Sequence, residues 1–204
     1  MRYVDVLSIG LHELRNSMVA LLQEPILFNG TVRQNLDPLD KASDDDLWRA
    51  LESASMKEVV LASGLGLECD VAESGANWSV GEKSLLCLAR ALLKKETARV
   101  VVLDEPTASV DLDTDAIVQA AVRKHFARAT MISIAHRLST IIDSSLIVVL
   151  EDGALKEAGT PHALIEDPRK SAFMGMVEAT GGAVAASLVA SAKRHHDERA
   201  GATE

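Results

Sequence analysis

The chain has 204 residues, 48% of them apolar and 25% charged, with a formal net charge of −9. That is the size and composition of one globular domain with a core of its own, and an acidic chain with no clustered basic stripe argues against nucleic acid as a partner. Two cysteines, Cys69 and Cys87, lack C-x-x-C spacing and fit a reducing compartment, and no run reaches the ~18–20 apolar residues of a membrane span.

In chain order, the pattern predicts a short helix over 11–16 and a buried strand over 18–22 that ends at Gln23-Glu24-Pro25. From 31 to 95 it is mostly helical, with Asp44-Asp45-Asp46 as an acidic helix start and a loop over 64–75. This stretch reads as a helical insertion rather than sheet. Ser79 and Glu82 have capping-box spacing ahead of the amphipathic run from Leu85 to Leu93. The aliphatic run 100–103, closed by Asp104-Glu105-Pro106, predicts a parallel strand buried on both faces. A helix over 114–127 leads to a second such strand, 130–135, closed by His136-Arg137. A third strand, 146–150, turns at Glu151-Asp152-Gly153. Strand, helix and strand in alternation imply an α/β fold with a parallel sheet flanked by helices. Residues 179–204 are Ala/Gly/Ser-rich and then charged, which predicts a low-complexity tail, disordered or helical in part.

Open α/β sheets bind ligands at the carboxyl ends of their strands, and those ends carry Gln23, Asp104, Glu105 and His136. An Asp-Glu pair after a strand has two readings: the cap of the next helix, or a catalytic pair. The segment Ser79-Val80-Gly81-Glu82 also has two: a well-started helix, or an anion site built from a hydroxyl, a glycine N–H and the positive helix end. Cys69, Cys87, His12, His125 and His162 lack the spacing of a metal site and read as structural, as do Trp48 and Trp78; His195 and His196 could hold only a stray metal ion.

Taken together, five segments in order resemble the ATP-binding domain of ABC transporters. They are Gln23 with Pro25-Ile26-Leu27-Phe28, Ser79-Val80-Gly81-Glu82, the strand from Val100 to Glu105, Ala108-Ser109-Val110-Asp111, and His136. The resemblance covers residues 3–178. Ile9-Gly10-Leu11-His12-Glu13-Leu14-Arg15, Phe28-Asn29-Gly30-Thr31-Val32-Arg33, Asn35-Leu36-Asp37-Pro38 and Leu86-Cys87-Leu88-Ala89-Arg90 are similar to the C subfamily of multidrug-resistance-associated exporters, its second nucleotide-binding domain above all.

The resemblance implies a partial ABC ATPase domain over 1–178, with a helical subdomain over about 31–97 and a core of 1–30 and 98–178, followed by the tail. It implies ATP and Mg²⁺ as ligands. Asp104 would hold the metal, Glu105 would polarise the attacking water, and His136 would hydrogen-bond the γ-phosphate. Gln23 would sense metal and water. Ser79, Val80, Gly81 and Glu82 would close over ATP held by a second nucleotide-binding domain, with Asp111 crossing between the two. The transmembrane domains of an exporter are the other implied partner, at the cytoplasmic face of a membrane.

This sequence departs from the family pattern in two ways. No G-x-x-x-x-G-K-[ST] occurs in it, and the family would carry that loop upstream of Met1, so hydrolysis by the chain alone is not expected. Missing strands would also leave a sheet edge and an apolar helix-facing surface uncovered. Glu82 stands where the family usually has Gln, which at ~5 Å and an effective dielectric of ~20 sets ~3 kcal/mol of repulsion against a phosphate. The alternative function is a non-catalytic module that docks on a complete nucleotide-binding domain.

Overall fold

The computed structural model describes residues 5–105, 110–135, 137–166 and 171–201. They form two compact units, Met1–Ile134 and Ala135–Glu204.

The first unit begins with α1 (Leu11–Asn16) and β1 (Met18–Leu21), then β2 (Gly30–Thr31), α2 (Val32–Leu36), α3 (Asp44–Ser53), α4 (Lys57–Ala62) and β3 (Asp70–Val71). It continues through α5 (Val80–Leu92), β4 (Val100–Asp104), α6 (Leu112–His125) and β5 (Thr130–Ile134). Helix starts follow local side-chain chemistry. Thr31 and Gln34 close a capping box on α2, Ser43 caps α3, Ser79 and Glu82 close a second box on α5, and Asp111 caps α6.

The sheet is parallel in the order β1-β4-β5, with Met18 opposite Val100 and Val100 opposite Thr130. On β4, Val101 and Leu103 are buried while their neighbours are half-buried. The expectation of a strand buried on both faces is met only on one. β5 is an edge strand exposed along its whole length, with Ile132 52% and Ile134 56% accessible. Leu86, Leu88 and Ala89 of α5 are fully buried in one core with Val19, Leu21, Leu47 and Leu51. Each such leucine contributes ~1.5–3 kcal/mol. Region 31–97 is helical as expected, apart from the short antiparallel β2–β3 pair.

The second unit holds β6 (Ile147–Glu151), β7 (Ala154–Gly159), α7 (Pro161–Glu166), α8 (Ala172–Ala179) and α9 (Gly182–Gly201). β6 does not extend the parallel sheet, as the sequence reading expects of a third strand. It pairs antiparallel with β7 in a separate two-stranded sheet. The cause is local: Asp152 (φ 51°) and Gly153 (φ 76°) both take the left-handed backbone of a type I′ turn, which folds the chain straight back.

Of the two forms expected for the tail, disordered or helical in part, the structure shows the helical one. Residues 182–201 form the helix α9, whose Leu188 and Ala192 are buried with Ile142, Ile147, Phe173 and Val177. Arg199 near its end donates to the carbonyls of Asp143 (2.6 Å) and Ser144 (2.9 Å). Few large side chains suffice, because α9 needs only one narrow stripe to pack. No helix among the described residues is long and apolar enough to cross a membrane.

Candidate functional site

The parallel register brings the ends of β1 and β4 to one edge, with Leu21 opposite Leu103 and Asp104 opposite Ile134. Gln23 sits exposed two residues past β1, and Asp104 and Glu105 close β4. Glu105 has φ +44° and donates its N–H to the Ile134 carbonyl at 3.2 Å. Among the described residues, four other non-glycine positions share a positive φ, and all are Ser or Asp, whose short polar side chains tolerate it. Glu105 is the long side chain in that group, and its backbone leaves the extended conformation just past the end of β4. His136 and the segment 106–109 lie outside the described residues.

The second half of the site is the start of α5. Ser79 Oγ accepts from the Glu82 N–H (3.3 Å), and the Glu82 carboxylate accepts from both the Ser79 N–H (2.8 Å) and the Ser79 hydroxyl (2.7 Å). The only hydroxyl proton of Ser79 is therefore committed to Glu82. The N–H groups of Val80 and Gly81, in the first turn, have no intrahelical partner. A Cβ on Gly81 would lie 3.3 Å from Thr114 Oγ1 and 3.7 Å from Asp111 Oδ2, so this position is kept bare by close approach of the α6 start.

Asp111 accepts from the Thr114 N–H (2.9 Å) and hydroxyl (2.8 Å), and these bonds hold its carboxyl below the usual carboxylate range. The structure thus brings Gly81 and Asp111 together within one chain. The Ser79 loop is held from behind, where Asn77 bridges Ala72 N–H (2.9 Å) and the Asp70 carbonyl (2.8 Å) and Trp78 is buried.

Sequence reasoning missed the residues that join the Gln23 loop to α5. Arg90 donates to the carbonyls of Asn35 (2.6 Å) and Ile26 (3.0 Å) and to Asn35 Oδ1 (3.2 Å), while its guanidinium lies 5.5 Å over the Phe28 ring. Asn35, fully buried, accepts from the Phe28 N–H (2.8 Å) and donates to the Phe28 (2.7 Å) and Thr31 (3.1 Å) carbonyls. Both residues sit in segments that carry the family resemblance; their partners are up to 64 positions away and leave no local signal. Beside this clamp a cleft of about 270 Å³ is lined by Leu22, Pro25, Ile26, Phe28, Cys87 and Arg90, and Leu22, Ile26 and Phe28 are exposed. Burial pushes the Cys87 thiol up, against the smaller opposing effects of Arg90 and the Ile26 backbone.

The donors at the sheet edge suit a hard cation. A carboxylate at Asp104 and an amide oxygen at Gln23 are the oxygen ligands Mg²⁺ prefers, with phosphates and water completing its shell. Among the described residues, no group of three or more His, Cys, Asp or Glu converges on a point.

Comparison with known proteins gives the family and the fold. The family model described as ABC transporter matches residues 3–108. The chain is 47% identical over 192 residues to mouse ATP-binding cassette sub-family C member 4, covering 94% of this chain and 14% of that protein. It is 48% identical over 171 residues to human ATP-binding cassette sub-family C member 2, covering 84% of this chain and 11% of that one. Among solved structures, a bacterial Atm1-family ABC exporter with ATP bound superimposes with TM-score 0.76 at 31% identity, over 87% of this chain and 31% of that chain. The chain thus spans about a seventh or less of the length of these curated relatives.

Proposed function

The chain belongs to the ABC transporter family, with C-subfamily members among its relatives, and from that premise we propose that it is part of a nucleotide-binding domain that couples ATP binding and hydrolysis to transport across a membrane. The observation that carries the reading is the shared carboxyl edge of β1 and β4, which collects Gln23, Asp104 and Glu105 in a chain of this family.

In this reading Glu105, just past the end of β4, orients and deprotonates the attacking water. Asp104 and Gln23 are the residues that would hold Mg²⁺, which when bound supplies neutralisation of the phosphate charge. His136 is the proposed hydrogen-bond donor to the γ-phosphate. Ser79, Val80, Gly81 and Glu82 face ATP held by a second nucleotide-binding domain, and Asp111, beside Gly81, crosses to that partner. Each site borrows from two domains. The apolar cleft at Ile26 and Phe28 suits a helix from the transmembrane domains, and Arg90 ties that contact to α5 through a continuous hydrogen-bonded path.

No G-x-x-x-x-G-K-[ST] occurs in the 204 residues, so the chain by itself is expected to leave ATP unhydrolysed. The test is a chimera in which residues 3–178 replace the matching segment of mouse C-subfamily member 4, measured for ATPase activity and ATP-dependent uptake into inverted vesicles. Activity that falls at least ~100-fold in the Glu105→Gln form supports the reading. A folded chimera whose ATPase is indifferent to Glu105→Gln refutes it.

A further inference from the structure

A second cleft, of about 700 Å³, opens between the loop after α2, the outer side of α3 and the C-terminal end of α5. Its volume lies within the range of small-molecule sites. The walls are aliphatic: Leu36, Ala50 and Leu92 are buried, Leu93 is half-buried, and Leu39 is 68% exposed at the mouth. Apart from His125, no aromatic ring lines it. Such walls favour a flexible hydrocarbon body over a flat aromatic one.

The lip of this cleft reverses the sign of the chain. Among the described residues, Lys41, Lys94 and Lys95 on the lip have no ion-pair partner. Most of the acids there are already engaged. Asp37 accepts from the backbone N–H groups of Lys41 and Ala42 (both 2.5 Å), and Asp46 is bonded to Ser43 (2.6 Å) and paired with Arg49 (3.2 Å). Five cations, Lys41, Arg49, Arg90, Lys94 and Lys95, line the cleft against three carboxylates, Asp37, Asp46 (which feels Lys95 as well as Arg49) and Glu96, in a molecule whose net charge is −9. His125 registers the same field: burial first, then Lys95 and Lys124, depress its protonation.

We propose that this cleft binds a free aliphatic acid, with the hydrocarbon chain along Leu36, Leu39 and Leu93 and the carboxylate at Lys94 and Lys95. An uncharged chain of the same length would gain the wall but not the lip. Inorganic phosphate would gain the lip but not the wall.

The experiment is titration of the 204-residue chain with decanoate, kept below its micelle concentration and followed by calorimetry, with amide NMR shifts to locate the site. Saturable one-site binding is expected, with shifts confined to residues 36–53 and 90–97 and to Asn16 and His125, which also line the cleft. Decanol and inorganic phosphate should each bind at least about tenfold more weakly. The Lys94→Gln/Lys95→Gln form should lose about tenfold, the size of two exposed ion pairs. Leu39→Asn, also at an exposed position, should lose about threefold. The decanol comparison needs no variant, so a misfolded mutant does not blunt the test. No saturable binding, equal binding of decanol, or binding to phosphatidylglycerol vesicles alone would each overturn the proposal.

Discussion

Replacing Glu82 by Gln isolates one charge at the α5 start. The Glu82 carboxylate accepts the Ser79 hydroxyl hydrogen bond at 2.7 Å. A phosphate oxygen seeking the same hydroxyl would sit on its other side, roughly 5 Å from the carboxylate. Between an effective dielectric of ~20 and that of water, the repulsion between two unit charges at this distance is ~1–3 kcal/mol. That corresponds to about 5- to 150-fold in affinity.

Gln at this position keeps the capping box, because its amide oxygen still accepts from the Ser79 N–H, so helix stability is preserved. In the chimera described above, Glu82→Gln should therefore lower the ATP concentration for half-maximal activity by at least about fivefold, with the denaturation midpoint unchanged. An unchanged ATP dependence in a folded Glu82→Gln protein would refute the placement of partner-held phosphate at Ser79.

Three further outcomes follow from the packing. Asn35→Ala strands the Phe28 N–H and removes an acceptor of Arg90, and should cost ~2–3 kcal/mol in urea unfolding with faster amide exchange at Phe28. His125 is held below the ordinary imidazole range by burial, then Lys95 and Lys124, so the unfolded chain binds more protons there. Its contribution to stability is present above pH ~6.5 and lost as pH falls through the depressed value. The stability gap between wild type and His125→Gln, followed by urea unfolding from pH 7.5 to 5, should narrow or reverse with acid. Leu188→Ala on α9 should cost ~2–4 kcal/mol in the second unit, read as loss of amide-exchange protection at Phe173 and Val177.

Where local chemistry decides, the sequence alone was enough. Ser79 and Glu82 are three residues apart, and a capping box follows from that spacing whatever the rest of the chain does. The aliphatic runs ending at Gln23 and at Asp104-Glu105 likewise became parallel strands with those residues at their carboxyl ends. A turn at Glu151-Asp152-Gly153 was also legible, though not its left-handed backbone. Its consequence, a β6–β7 hairpin outside the parallel sheet, needed the observation that Asp-Gly between two strands folds them onto each other.

Other features exist only once distant segments meet. Arg90 reaches Ile26 and Asn35, and Gly81 is kept bare by Asp111 and Thr114 some thirty positions on. Tail residues poor in large side chains became a helix because Phe173, Val177 and Ile142 offered one narrow apolar face to Leu188 and Ala192. Capping and strand alternation act over two to four residues and are written in the order of the chain. Buried hydrogen bonds and close backbone approach depend on which surfaces the fold presses together, and that is decided only in three dimensions.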